Sequence, residues 1–270
     1  ELKNEEHISL AKMANQAGIG YMASVWDSEA LDWIDPYIPI YKIGSGDVTA
    51  YQIIEKIALK GKPIILSTGI STMDDILRTV EFIQLSNPIY NQPDYLAILQ
   101  CTSMYPIGDE DANLLTIPQL EINTNLTVGY SDHTIGSKAL LYAYLMGAKV
   151  LEFHFSDNVI DRSFRDHEVS LTKEDVKRLI EEISDASRFM GNGVKVPMRI
   201  EIENNHHISF RRSMYLNRDI EAGRVVEYDD LISLRPNTGI DARYYQDLIG
   251  KTLVNDKKAY EKLSWDDFSS

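Results

Sequence analysis

Short apolar runs alternate with amphipathic helical stretches through residues 1–191, and this rhythm constrains the fold more than any other feature. The runs carry consecutive hydrophobic residues, which is typical of parallel strands buried on both faces. Such alternation predicts βα units, in either a doubly wound sheet or a (β/α)₈ barrel. The predicted strands are 20–25, 40–46, 63–69, 95–102, 127–132 and 149–155, and the predicted helices are 50–61, 73–86, 137–148 and 173–191.

Polar residues at the C-terminal ends of these strands distinguish the two architectures. In chain order the strand ends read SVWD, KIGSGD, STG, CTSMYP, SDHT and HFSD. Polar chemistry on every strand end is typical of the catalytic rim of a barrel, whereas a doubly wound sheet concentrates its ligand near one switch point. We therefore predict a (β/α)₈ TIM barrel of about six strands that is N-terminally incomplete in this chain. The two remaining βα units are expected upstream.

The alternation of apolar runs and helical stretches stops after residue 191. Residues 1–191 are predicted to form the partial barrel domain, 192–207 a linker, and 208–270 a small β-rich domain. Within that last segment, residues 217–231 are echoed by 255–268, without a gap over the last ten positions. The echo predicts internal pseudo-symmetry.

Composition limits the partners of the chain. With 41 acidic and 27 basic residues the net charge is −14, so a nucleic-acid partner is not expected. No apolar run approaches the roughly 18 residues of a membrane span, so no membrane partner is expected either. The N-terminal stretch carries no secretory pattern, and the single cysteine, Cys101, fits a reducing compartment. These features predict a cytoplasmic protein.

Two histidines end neighbouring predicted strands, about one βα unit apart. Adjacent parallel strands lie roughly 4.8 Å apart, so His133 and His154 could share one divalent ion. The alternative is a pair of structural histidines. Asp132 is expected to orient an imidazole or to cap the next helix rather than to bind the ion.

A lysine and several serines at other strand ends favour an anion site. Lys42 and Ser45 stand in a glycine-containing turn that suits phosphate or carboxylate, although the same turn could be a plain strand–turn–helix with Asp47 as the N-cap. Ser67 and Ser131 end two further strands and strengthen the anion interpretation. No GxGxxG or Walker pattern is present, which disfavours a nucleotide.

The run CTSMYP adds hydroxyl groups to the same predicted rim. Ser103 and Tyr105 follow the strand at 95–102. Tyr105 would either hydrogen-bond a polar substrate or pack under Pro106. Cys101 lies within the strand, where buried thiols are usually inert.

Taken in order, YKIGSGD, GKPIILSTG, LQCTSMYP, VGYSDHT and LEFHFSD resemble the sialic acid synthase family. The segment RRSMYLNRDIEAGRVVEYDDLISLRPNTGI resembles the C-terminal antifreeze-like (SAF) domain of that family, and the resemblance spans about residues 5–268. It implies a TIM barrel with a SAF domain, assembled as a domain-swapped homodimer. It also implies condensation of phosphoenolpyruvate with an N-acetylmannosamine-type sugar, giving a sialic, legionaminic or pseudaminic acid and phosphate.

The resemblance further implies a role for each matching residue. The positions implied to bind phosphoenolpyruvate are Ser24, Lys42, Ser45, Ser67 and Ser131. Those implied to contact the sugar are Asp47, Ser103, Tyr105, Asp166 and Arg235, the arginine reaching the site from the partner subunit. His133 and His154 would bind Mn²⁺ or Mg²⁺ and, with Asp47, form the catalytic group.

The chain also departs from the family pattern. The first two βα units are absent, Phe153 replaces a basic residue before the second histidine, and Asp166 aligns only with a gap. A barrel without those units is expected to be poorly active unless a partner supplies them. One alternative is therefore a truncated or degenerate homologue that acts as a non-catalytic subunit or sugar-binding module. Another is a different metal-dependent barrel, such as an aldolase or a 3-deoxy sugar acid synthase, against which the SAF-like tail argues.

Overall fold

The computed structural model describes residues 2–25, 27–162 and 164–269. The chain divides into two compact units, Glu1–Gly191 and Asn192–Ser270. The strands of the first unit are β1 (Tyr41–Ile43), β2 (Ile64–Ser67), β3 (Leu96–Cys101), β4 (Thr127–Ser131) and β5 (Val150–Glu152). Its helices are α1 (Asn4–Gln16), α2 (Ser28–Ile34), α3 (Tyr51–Leu59), α4 (Met73–Ser86), α5 (Thr116–Thr124), α6 (Lys138–Leu145), α7 (Arg165–Glu168) and α8 (Lys173–Met190).

The five strands form one parallel sheet in the order β1-β2-β3-β4-β5, curled into a half-barrel. In β3 every residue except Ala97 is buried, so both faces of the strand are covered, as the consecutive apolar residues predicted. Thr72 and Thr172 are the N-cap residues of α4 and α8. Each forms a reciprocal capping box with an aspartate three residues later. These starts match the helical periodicity of the sequence.

Five of the six predicted strands form this sheet. Of residues 20–25 only Ser24 pairs with the sheet, through a single parallel bridge to Lys42. This segment borders β1 at the edge of the described sheet and pairs on one side alone, so fewer backbone hydrogen bonds hold it extended. Met22 and Ser24 are exposed accordingly.

The second unit is built on an antiparallel pair of strands, β6 (Ser213–Leu216) and β7 (Leu231–Leu234). Its helices are α9 (Arg199–Glu203), α10 (His206–Ser209) and α11 (Tyr245–Leu248). Part of the predicted linker 192–207 is therefore helical. A separate core holds the unit together, formed by Met214, Leu216, Ile220, Val226, Ile240, Leu248, Leu253, Leu263 and Phe268.

The sequence echo in this unit corresponds to a pseudo-two-fold axis. Ile220 and Lys257 occupy equivalent positions in the two repeats and bond each other reciprocally, N to O at 2.8 and 2.9 Å. On either side of this pair, the amide of Ala222 donates to Asp256 at 2.8 Å and the amide of Ala259 donates to Asp219 at 2.9 Å. Each repeat thus supplies the acceptor for the turn of the other.

No helix in the described part of the chain is both long enough and apolar enough to cross a membrane.

Candidate active site

The C-terminal ends of the five parallel strands border one cavity of about 520 Å³. Parallel strands bring these ends to the same edge of the sheet, which is where barrel enzymes carry their chemistry. The predicted site residues that line the cavity are Ser24, Lys42, Ser45, Asp47, Ser67, Ser103, Tyr105, Ser131, His133 and His154. Asp166 does not line it and lies on α7 of the same unit, whereas Arg235 belongs to the second unit.

A buried lysine forms the positive centre of the cavity. Lys42 is 9% exposed, and its Nζ donates a 2.8 Å hydrogen bond to Ser67 Oγ. The same ammonium lies 3.4 Å from Glu152 Oε1 in an ion pair. A buried ammonium keeps its charge only when it is paired and hydrogen-bonded, and these two partners meet that need. The group is therefore placed to hold an anion that enters the cavity.

Gly69 allows the loops after β1, β2 and β3 to meet. Its amide donates to Ser45 Oγ at 2.9 Å. A Cβ at this position would lie 2.2 Å from Ser103 Oγ and 2.9 Å from Ser45 Oγ, so no side chain fits without moving both serines. The STG motif thus joins a serine implied in phosphoenolpyruvate binding to one implied in sugar binding.

The two histidines lie side by side, with ring centroids 5.5 Å apart. His133 is 4% exposed, and its Nδ1 lies 2.8 Å from the carbonyl oxygen of Thr102. A carbonyl only accepts, so Nδ1 donates the proton and the Nε2 of a neutral ring carries a free lone pair. Burial lowers the pKa of His154, and the neighbouring His133 lowers it further, which favours the neutral imidazole that binds metals.

This donor set fits a divalent ion as a histidine pair. Among residues 2–25, 27–162 and 164–269, no group of three or more His, Cys, Asp or Glu side chains is arranged to hold an ion. Remaining coordination positions would therefore fall to water or substrate oxygens, as in sites with open positions for chemistry. Cys101 Sγ lies 4.0 Å from His133 Nδ1, the nitrogen already bonded to Thr102.

Tyr105 packs against both histidines. Its ring centroid lies 3.9 Å from that of His133 and 5.4 Å, edge-on, from that of His154. The guanidinium carbon of Arg165 lies 5.0 Å from the Tyr105 centroid. Burial raises the pKa of the Tyr105 phenol, so its hydroxyl keeps its proton and can donate to a ligand. These contacts place the Tyr105 ring beside both histidines.

Asp132 takes neither of its two predicted roles. Its Oδ1 accepts hydrogen bonds from Tyr130 Oη at 3.1 Å and from the Thr134 amide at 2.9 Å. It therefore holds the turn that carries His133, instead of bonding an imidazole or capping α6. Burial raises the pKa of this carboxyl, although both hydrogen bonds oppose the rise.

Sequence reasoning missed Glu152, the carboxylate that pairs with Lys42. Glu152 and His154 are two positions apart at the end of β5, and alternate residues of a strand face the same side. In LEFHF, the spacing of two between Glu152 and His154 was the pattern that could have revealed this carboxylate. Phe153 also lines the cavity.

The remaining predicted residues are placed as follows. Asp47 is half-buried in the short turn after β1, and Ser24 is exposed beside Lys42. Asp166 lies 3.7 Å from Arg165 Nε; its negative charge adds to the rise in the Tyr105 pKa and partly offsets the lowering of the His154 pKa. Arg235 is exposed in the second unit, with its guanidinium 5.2 Å from the Phe210 ring centroid.

Two family models match the chain. The NeuB family matches residues 1–195 and the SAF domain matches residues 211–269. The N,N'-diacetyllegionaminic acid synthase of Legionella pneumophila is 35% identical over 271 residues, covering 98% of this chain and 74% of the relative. The pseudaminic acid synthase of Campylobacter jejuni is 32% identical over 267 residues, covering 98% and 75%.

A solved structure agrees with these matches. The N-acetylneuraminic acid synthetase of Leptospira borgpetersenii superposes with a TM-score of 0.71 at 26% identity. The superposition covers 77% of this chain and 70% of the synthetase.

Proposed function

This chain belongs to the NeuB family, and from that premise we propose that it condenses phosphoenolpyruvate with a 2-acetamido sugar of the N-acetylmannosamine type. The product would be a nonulosonic acid of the sialic, legionaminic or pseudaminic kind, with release of phosphate. The relatives named above make acids of this class. The observation that carries the proposal is one cavity that holds the Lys42–Ser67 pair together with the two histidines.

The Lys42 side of the cavity would hold phosphoenolpyruvate. The ammonium and the Ser67 hydroxyl are already hydrogen-bonded, so little reorganisation is needed when an anion arrives. Ser45 and Ser131 add hydroxyls from the neighbouring strand ends, and Ser24 lies at the exposed margin. Fixed donors hold the reactant in a productive position, which is the main task of a protein in this reaction.

The histidine side would hold the aldehyde end of the open-chain sugar. A divalent ion bound by His133 and His154 would polarise the aldehyde as a Lewis acid. The protonated phenol of Tyr105 can donate a hydrogen bond there, and the Asp47 carboxylate can accept from sugar hydroxyls. Ser103 and Asp166 would contact the rest of the sugar.

The proposed reaction has three steps, which are carbon–carbon bond formation, addition of water and loss of phosphate. C3 of phosphoenolpyruvate forms the new bond to the aldehyde carbon, whose oxygen takes up a proton and becomes a hydroxyl. Water adds to C2, and Glu152, beside Lys42, is placed to accept the proton that this water loses. As the C2–O bond to phosphate breaks, the C2 hydroxyl becomes the keto oxygen and its proton passes to the departing phosphate, leaving phosphate and the 2-keto acid.

The first test measures phosphate release from phosphoenolpyruvate with Mn²⁺ and a panel of 2-acetamido sugars. We expect release with one sugar, and a fall of about a hundred- to a thousandfold for Lys42→Met, because the buried positive charge is lost. Lys56→Met, at an exposed lysine of α3, is the matched control and is expected to behave like the unaltered chain. Silence with every sugar, from the longest chain its gene encodes, would favour a non-catalytic homologue.

We also propose the domain-swapped homodimer that the family resemblance implies. Large apolar side chains of the second unit are more than half exposed, namely Val194, Val196, Met198, Ile200 and Phe210. Extended apolar surface of this kind is usually covered in an assembly. In the proposed dimer, Arg235 of one protomer would complete the cavity of the other and contact the acyl group of the sugar.

Mixing two defective chains tests this arrangement. Arg235→Ala chains are expected to use the sugar poorly, and His154→Ala chains to be inactive. After subunit exchange, a mixed dimer contains one cavity with both groups intact, so roughly a quarter of the sites should recover. A mixture no more active than its components would show that Arg235 does not act across a dimer. Light scattering of the unaltered chain gives the independent mass.

A further inference from the structure

Four aromatic side chains form an exposed strip on the second unit, consisting of Tyr228, Tyr245, Tyr244 and Trp265. The ring centroids of Tyr228 and Tyr245 are 6.3 Å apart, and those of Tyr244 and Trp265 are 6.0 Å apart. Tyr244 and Tyr245 are consecutive in the chain. Tyr228 is 67% exposed and Tyr245 36% exposed. Aromatic rings held together at a surface usually cover a ligand rather than face water alone.

One end of the strip borders a cavity of about 430 Å³ that the synthase proposal does not use. Tyr228 and Tyr245 form its aromatic wall, and Asn217, Asp229 and Ser233 add polar groups. The side-chain nitrogen of Asn217 donates to the backbone carbonyl of Asp229. The side-chain oxygen of Asn217 takes no part in that bond. Within the described residues, the Asp229 carboxylate takes part in no hydrogen bond or ion pair to another side chain. It is exposed, so it can accept hydrogen bonds from a ligand.

The pseudo-two-fold axis supplies a natural comparison for this cavity. Trp265 and Asp266 occupy the positions equivalent to Tyr228 and Asp229 in the two repeats. The backbone amides of Asn217 and Val254 make the matching bonds, to the carbonyls of Asp230 and Asp267, so Val254 is the structural equivalent of Asn217 and cannot hydrogen-bond to a ligand through its side chain. The combination of aromatic ring, carboxylate and amide therefore exists in the first repeat alone.

We propose that this cavity is a binding site for a neutral saccharide carrying an acetamido group. A sugar ring offers an apolar C–H face to an aromatic wall and hydroxyls to carboxylate and amide groups, which is the combination present here. Leu231 and Ile232, both half-buried, also line the cavity and provide an apolar surface for an acetamido methyl. Asp229 and the net charge of −14 disfavour an anionic sugar. The site lies in the second unit and does not depend on the proposed synthase reaction.

The test titrates the full chain with chitobiose, the dimer of N-acetylglucosamine, by calorimetry and by saturation-transfer NMR. We expect saturable binding in the millimolar range or tighter, about −4 kcal/mol or better. Tyr228→Ala and Asn217→Ala should each weaken binding at least about tenfold, whereas Tyr228→Phe keeps the ring and should keep most of the affinity. Trp265→Ala is the matched control, because Trp265 occupies the equivalent position in the second repeat and does not line this cavity, so the affinity should change by less than about twofold.

Two further chains separate this site from the synthase cavity. His154→Ala is expected to retain chitobiose binding while it loses turnover, and Tyr228→Ala is expected to retain turnover. Circular dichroism checks that each variant is folded, and Asp229→Asn serves as a second loss-of-binding variant. Equal affinity of the unaltered and Tyr228→Ala chains, loss of binding in His154→Ala, or no saturable signal would each overturn the proposal.

Discussion

We expect His133→Ala and His154→Ala each to reduce turnover by about a hundred- to a thousandfold while the fold is retained. The expected loss follows from the open arrangement of the site, because two imidazoles provide all the histidine donors of the cavity and neither has a substitute beside it. His154 is half-buried at the end of β5 and caps no helix, so its removal leaves the sheet pairing intact. Steady-state kinetics with Mn²⁺ gives the loss.

A second measurement shows whether the loss comes through the ion. Mn²⁺ binding, followed by electron paramagnetic resonance without substrates, should weaken in both variants. His7→Ala is the matched control, since His7 lies on α1 and its ring bonds Tyr21 at 2.6 Å. Unchanged turnover in His133→Ala and His154→Ala would show that the histidine pair is structural, which was the alternative interpretation of the sequence.

Asp230→Ala is expected to destabilise the second unit by about 2–3 kcal/mol. The Asp230 side chain is fully buried and accepts from Arg218 Nε at 2.6 Å and from the Glu227 amide at 3.0 Å. Its removal leaves the Glu227 amide without its side-chain acceptor and Arg218 without its counterion. Arg218 is half exposed and can be hydrated, so the cost falls below that of a fully buried pair. Urea unfolding, with hydrogen exchange of 213–234, measures it in the full chain.

The same carboxylate makes the second unit sensitive to acid. Burial raises the pKa of Asp230, but the Glu227 amide and the Arg218 guanidinium outweigh burial and hold it below its ordinary value. A depressed carboxyl pKa contributes stability above the unfolded value of about 3.9, and the contribution is lost as the pH falls through the folded value. The free energy of unfolding should therefore decline below about pH 4 in the unaltered chain and less steeply in Asp230→Asn. Asp229→Asn, at an exposed neighbour, should match the unaltered chain within about 0.5 kcal/mol.

Local sequence patterns predicted most of the first unit. The helix predicted at 73–86 begins and ends as α4 does, because a threonine cap and a 3.6-residue apolar repeat specify it locally. The parallel arrangement of β2 to β5 followed from apolar runs and helix alternation. Strand 20–25 was over-predicted because pairing depends on neighbours that a local pattern cannot reveal. The helices within 192–207 were missed because the segment shows no long apolar period.

The sequence predicted most of the residues that meet in the cavity but not the contacts between them. Because Lys42, His133 and His154 lie near the C-terminal ends of predicted parallel strands, the sequence predicted them at one rim. It could not reveal that Glu152 pairs with Lys42, because the two residues are far apart in sequence and meet only through the order of the sheet. The stacking of Tyr105 on His133 is likewise a product of tertiary packing.

The reciprocal bonds across the pseudo-two-fold axis have a consequence for how the second unit assembles. An aspartate of each repeat accepts a hydrogen bond from the turn of the other, so the two turns stabilise each other. Even the backbone twist is shared, since Gly223 and its counterpart Tyr260 both adopt a left-handed conformation, at φ 83° and 66°. The two repeats are therefore joined by equivalent bonds on both sides of the axis. Replacing Asp219 or Asp256 is therefore expected to disrupt first the turn of the opposite repeat, whose amide loses its acceptor.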